Sequence, residues 1–366
     1  MLSSVLVTGA LGYPLTPDRS FSENENRILA KPPEFSTETV FSGKFTEGLE
    51  NYLSDQIAGR DDWMTSVSNL RISAGLKNIN SVYLSDKDYL IDRFTDEDIP
   101  KEQFESNIAA LKDFCSNSNT KVTVMPVPDK SSVLSEFLPY GAASYDYDKS
   151  FEALQSSLSE NNLICLLPAL KNASKTQQVF FRTDHHWTSQ GAAVAYDTYR
   201  QKLSGRISNR SDNYTYKTVS DDFLGSLYSK VLSTNIRPDK MELPDIKMPK
   251  NLHVVAGGKE TDNIYDYSYL KKKDKYGVFL GGNFNEIIIQ TGSDKTNKKL
   301  LIIKDSFANS IIPFMLEDYS EIRLIDLRYY VGSVHSYIIQ NQPDEVLILY
   351  QMTNIIKDEN IPKLAT

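Results

Sequence analysis

Apolar positions recur three and four residues apart in "KFTEGLENYLSDQI", where Phe45, Leu49, Leu53 and Ile57 share one face and predict a helix packing that face inward. Gly59 marks its end, and a second helix from near Asp61 is expected to carry Trp63, Val67 and Leu70 inward. Ahead of them, Pro14, Pro17, Pro32 and Pro33 among many Ser, Asn and Glu predict an extended, irregular arm. From residue 102 the pattern alternates: "FESNIAALKDFCSN" reads as helix, "TKVTVMPVP" as strand, "YDKSFEALQSSLSEN" as helix, then the apolar run "LICLLPAL". After the helix "GAAVAYDTYRQKL" the rhythm is lost over residues 205–298, a Tyr- and Lys-rich stretch with strand-like pieces "YGVFLGG" and "EIIIQTG". It returns in "KKLLIIKDSFANSIIPFM", "EIRLIDL" and "DEVLILYQMTN". Alternating helices and apolar runs predict an α/β domain with a mainly parallel sheet covered by helices, over residues 96–366. Residues 1–95 form an N-terminal arm with helices, and 205–298 a β-rich insertion.

Composition narrows the function. The chain has 366 residues, 40% of them hydrophobic, enough for a sizeable core. A net charge of −8 leaves no basic footprint for a phosphate backbone, and the lysine runs (Lys271 to Lys273, Lys298 and Lys299) are short, so no nucleic-acid partner is expected. Cys115 and Cys165 form no C-x-x-C unit; one disulfide is open, but a buried free thiol is the commoner state for Cys165. The opening "MLSSVLVTGALGYPL" is apolar, too short to span a bilayer, and consistent with the trimmed end of a signal or anchor segment.

Chemistry concentrates in two places. In "LLIIKDSFANSIIPFML" Ser306 falls on a strand-to-helix turn, where it either caps the helix or projects a nucleophilic hydroxyl beside free backbone N–H groups. In "TDHHWTSQGA", two of the chain's four histidines stand ahead of a helix that Thr188 can cap. The helix N-terminus disfavours an imidazolium, so His186 suits a general base, with Asp184 to orient it and Trp187 to shield or underlie the site. A satisfied loop histidine is the bland alternative. Metal binding by Asp184, His185 and His186 is disfavoured, because adjacent residues seldom converge on one ion.

These motifs resemble the DHHW proteins, relatives of the SGNH-like alginate O-acetyltransferases, and "SENENRILAKPPEFS" and "YLSDQIAGRDDW" extend the resemblance upstream. It implies a three-layer α/β/α SGNH hydrolase-like domain, Ser306 as nucleophile, His186 as base and Asp184 as acid, with no metal or organic cofactor. For the oxyanion it implies the Ser306 N–H, with Asn354 as second donor and the "GGN" of Gly281, Gly282 and Asn283, Gly282 foremost, as runner-up. Gly281 and Gly282 equally suit a tight turn. Lys304 stands where ordinary SGNH proteins have glycine. Trp187, His185 and Asn283 are candidate substrate contacts. The implied activity is O-acetyl transfer to, or ester hydrolysis on, a cell-envelope or extracellular polysaccharide, in an extracytoplasmic setting, with a possible membrane-bound acyl-transfer partner. The alternative is a non-catalytic carbohydrate-binding or scaffold protein of the same fold.

Overall fold

The computed structural model describes residues 17–206, 210–293 and 296–365. The opening apolar stretch, and with it the reading of a trimmed signal or anchor, lies outside the described residues. Among those described, no helix is long and apolar enough to cross a membrane.

A seven-stranded mixed sheet organises the chain. Its strands are β1 (Lys121–Val127), β2 (His253–Ala256), β3 (Lys259–Thr261), β4 (Glu286–Gln290), β5 (Lys299–Lys304), β6 (Glu321–Ile325) and β7 (Glu345–Gln351). Their spatial order is β3-β2-β4-β6-β5-β7-β1. The run β6-β5-β7-β1 is parallel, whereas β4 pairs antiparallel with β6 and β2, and β3 with β2. The expectation of a mainly parallel sheet is corrected to an evenly mixed one. Sequence patterns explain the split. In β5, β7 and β1 almost every residue is buried, as strands covered on both faces require. In β4 only Ile287 and Ile289 are buried, the alternation of a one-sided strand.

Strands β2, β3 and β4 come from residues 205–298 and extend the main sheet. A bulged antiparallel hairpin, Tyr216–Phe223 with Asp239–Pro244, accounts for more of that stretch. "YGVFLGG" is not a strand: Lys275–Val278 is a 3-10 turn whose Tyr276 and Val278 fill the core. "LICLLPAL" contributes one bridge, Leu163 to Val124, and then a helix, Leu167–Ala173, started at its proline. Cys115 and Cys165 are free thiols, and Cys165 is exposed rather than buried because the chain there is turning into that helix.

Both N-terminal helices form, α1 (Lys44–Gln56) and α2 (Arg60–Ser73), but their apolar faces do not turn inward. Leu53, Ile57, Trp63 and Leu70 are exposed, while α1 buries Asp55 and Gln56. A polar clamp causes this: Asp55 accepts two hydrogen bonds from the Arg27 guanidinium and one from the Ala30 N–H, and Gln56 pairs with both backbone groups of Arg19. The arm is therefore held by its acids and amides, and its tip at Asn26 reaches the cleft described next.

Candidate active site

The site lies where parallel strands end, the position at which open α/β sheets gather ligands. Strand β5 stops at Lys304, and Asp305 caps the 3-10 turn Ser306–Ser310 by accepting from the Phe307 N–H at 2.9 Å. Its second oxygen accepts from the Gln351 N–H (2.7 Å) and Asn354 Nδ2 (2.8 Å), tying the turn to the end of β7. Capping is thus done by Asp305, so the Ser306 hydroxyl is released from the structural role that serine has at such turns. Ser306 Oγ lies 2.7 Å from His186 Nε2.

The histidine comes from the turn between Phe180 and Trp187, which bridge each other, and Thr188 caps the following helix Ser189–Ser204 through the Gly191 N–H. Asp184 Oδ1 accepts from the His186 N–H at 2.9 Å and lies 2.6 Å from Nδ1. An ionised carboxylate only accepts, so Nδ1 carries the proton and Nε2 is left as acceptor for the Ser306 O–H. Burial would raise the Asp184 carboxyl, but His185, His186 and the Ser226 N–H outweigh it and hold the group well below the ordinary range. Burial, assisted by His185 and opposed by Asp184, lowers His186 to about 4. The imidazole is therefore neutral at pH 7, beside an ionised acid.

Around this relay the packing is close. The Tyr276 ring lies parallel to the His186 imidazole, centroids 3.7 Å apart, and its hydroxyl is 3.1 Å from Ser306 O and 3.0 Å from Ser310 Oγ. Lys130, 4% exposed, donates to the Asp184 carbonyl at 2.5 Å and to Leu90 O at 2.8 Å, fixing the backbone that carries the acid. Gly225 lets the following helix pack directly against the acid: a Cβ there would meet Asp184 Cβ at 2.3 Å.

A cleft of about 220 Å³ brings together Asp184, His185, His186, Ser306, Gly282 and Asn283 with Asn26, Lys273, Asp274 and Asn309. Three sequence candidates have other employment. Trp187 is fully buried and donates through Nε1 to Ser310 Oγ (2.7 Å) and Phe307 O (3.1 Å), so it underlies the serine turn and has no surface for substrate. Asn354 is tied to Asp305 and does not line the cleft. Gly282 lines the cleft, but its N–H donates to Phe279 O in a tight turn with positive φ at Leu280, Gly281 and Gly282. His185 is half-buried, with Nδ1 2.7 Å from Ser226 Oγ. Ligand atoms of Asp184, His185 and His186 lie within 4.8 Å of one another, yet both His186 nitrogens are engaged by Asp184 and Ser306.

Sequence reading missed Lys130, Tyr276, Asn309 and the placing of Gly225. Lysines and tyrosines are too common for their type to signal a site. Only "DSFANS", with Asn309 three residues after the serine, offered a local hint.

The family model described as DHHW protein matches residues 140–325, just over half of the chain. A crystal structure of a DHHW family protein from Eubacterium siraeum has a TM-score of 0.63 at 20% identity, covering 78% of this chain and 95% of that one. Bacillus cereus PatB1 with a sulfonyl adduct has a TM-score of 0.63 at 22% identity, covering 77% and 97%. Both are likenesses of fold. The probable alginate O-acetylase AlgJ of Pseudomonas putida is 24% identical over 157 residues, 42% of this chain and 34% of that protein, so the chain spans about a third of this curated relative. With the "DHHW" tetrapeptide at residues 184–187 placed at the centre of the site, the chain belongs to the DHHW protein family.

Proposed function

We propose that the protein is a serine-dependent acyltransferase or esterase, acting on acetyl esters of a polysaccharide through Ser306, His186 and Asp184, on an SGNH-like three-layer α/β/α frame. The observation that carries this is the relay itself: Ser306 Oγ to His186 Nε2 at 2.7 Å and His186 Nδ1 to Asp184 Oδ1 at 2.6 Å, on a cleft. Similarity to a probable alginate O-acetylase supports acetyl as the group and a polysaccharide as the acceptor. An extracytoplasmic, cell-envelope setting and a membrane-bound partner supplying the acyl group belong to the same reading.

Chemically, His186 Nε2 takes the Ser306 hydroxyl proton as Oγ attacks the donor's acyl carbon. The Ser306 N–H, which has no backbone acceptor among the described residues, supplies one donor to the oxyanion. Collapse breaks the bond to the leaving group, which receives the proton from Nε2, and leaves acetyl on Ser306. An acceptor hydroxyl then gives its proton to Nε2 and attacks the ester carbon; collapse breaks the bond to Ser306 Oγ, which takes the proton back from Nε2, and releases the acetylated sugar, or acetate when the acceptor is water. Asp184 stays ionised throughout and stabilises the transient imidazolium.

Intact-protein mass spectrometry after brief exposure to p-nitrophenyl acetate, and separately to a sulfonyl fluoride, tests this. Both reagents are expected to modify Ser306 in the unmutated chain, with Ser306→Ala unmodified and His186→Ala slowed at least 100-fold. An unmodified Ser306 with both reagents would move the weight to a glycan-binding role.

A further inference from the structure

We infer that Lys304 is a positioning residue that orients the Asn283 amide as the second oxyanion donor; this rests on the acyl-transfer reading of Ser306. Lys304 is fully buried, two residues before the serine. A lysine is almost never placed so unless something is gained by it. Among the described residues Lys304 makes one long ion pair and no hydrogen bond to a carboxylate. The nearest acid, Asp326, is 3.9 Å away and is held by the Arg328 guanidinium at 2.8 and 2.6 Å. Lys304 Nζ instead donates to Asn283 Oδ1 at 2.6 Å and to Asn309 Oδ1 at 2.8 Å.

An ammonium has donors and no acceptor, so it decides which way both amides point. Each carbonyl oxygen faces Lys304 and each NH2 group faces away. For Asn309 the nitrogen is taken up by Gly282 O (3.3 Å) and Asn283 Oδ1 (3.2 Å). Asn283 Oδ1 thus accepts from a cation and an amide together, while its Nδ2 has no acceptor among the described residues, on a side chain that lines the cleft with Ser306. An amide drained at oxygen is a stronger donor at nitrogen, and charge-assisted bonds of this kind are the strong ones.

The test is a double-mutant cycle on the single-turnover acetylation of Ser306 by p-nitrophenyl acetate, with circular dichroism and thermal unfolding of each variant. Asn283→Ala is expected to lower the maximal rate roughly 100-fold or more, as loss of one oxyanion donor does, with the half-saturating ester concentration little changed. Lys304→Met is expected to lower it at least 10-fold, and Lys304→Gln, which keeps N–H donors, to recover part of that. Because Lys304 acts through Asn283, the double variant falls no further than Asn283→Ala alone. Losses that multiply, or full rates in Asn283→Ala, overturn the inference and leave Ser306 as nucleophile. Should Lys304→Met not fold, Asn283→Ala and Asn283→Asp decide: both are slow if the amide N–H is used, and a full rate in either overturns it. An unmutated protein that never acetylates Ser306 removes the acyl-transfer reading and this inference with it.

Discussion

In the proposed acyl transfer, His186 sets the pH dependence. Burial first, then the neighbouring His185, lowers the imidazole to about 4, so the base stays neutral well below the ordinary histidine range. The acid limb of the rate of Ser306 acetylation is expected near pH 4; a limb at about 6.5, the unperturbed value, would mean that the imidazole is solvated in the working enzyme. Replacing Asp184 by Asn removes the acceptor that keeps the proton on Nδ1, and the rate is expected to fall roughly 10³- to 10⁴-fold with little change in fold, checked by the same labelling and by circular dichroism. These residues were legible because their types are rare or clustered: two of four histidines adjacent, with an acid just before. What decides whether Ser306 caps or reacts was not legible from Ser306 alone. The cap is taken by Asp305, whose oxygens also tie down β7, which leaves the Ser306 hydroxyl without that role. The buried lysines were hidden for the same reason: burial is a property of the neighbours.

At the scale of elements, strands and helices with a clean period were readable, and those whose burial depends on distant partners were not. Strand β5 announces itself by an unbroken apolar run; α1 and α2 were found as helices but assigned the wrong inner face, since the Asp55 clamp is built from residues about 25 positions apart. The sharpest test at this scale is the short helix Ser226–Val231, which approaches the acid loop through Gly225. Its Ser226 N–H donates to Asp184 Oδ2 at 2.7 Å. In Gly225→Ala the new methyl would sit 2.4 Å from Oδ2, so the loop or the helix must move. A stability loss of about 1–3 kcal/mol in urea unfolding is expected, as overpacking gives, with at least 100-fold slower acetylation. A variant that loses stability but acetylates at full rate would show that Asp184 keeps its place without this contact.

Over the whole molecule, the site's electrostatics enter the stability of the fold. His186 and Asp129, a buried acid at the end of β1, pull in opposite directions. Burial raises Asp129 to about 6 despite hydrogen bonds from Tyr145 and Thr353. Unfolded, an Asp titrates near about 3.9 and a His near about 6.5. From about pH 4 to pH 6 the folded chain keeps a proton on Asp129 that the unfolded chain has lost, so this group's stabilising contribution falls as pH rises. In the same window the unfolded chain carries a proton on His186 that the folded chain refuses, so that group's contribution is lost as pH falls. Over this window the two groups act in opposite senses on the stability of the unmutated protein. Removing either group should therefore expose the other. Relative to the unmutated protein, Asp129→Asn is expected to gain in unfolding free energy between pH 4 and 6, and His186→Gln to lose over the same range, as measured by urea titrations at each pH. If both differences stay flat, these two groups titrate alike in the folded and unfolded chains, and the neutral, buried base on which the proposed chemistry depends would have to be given up as well.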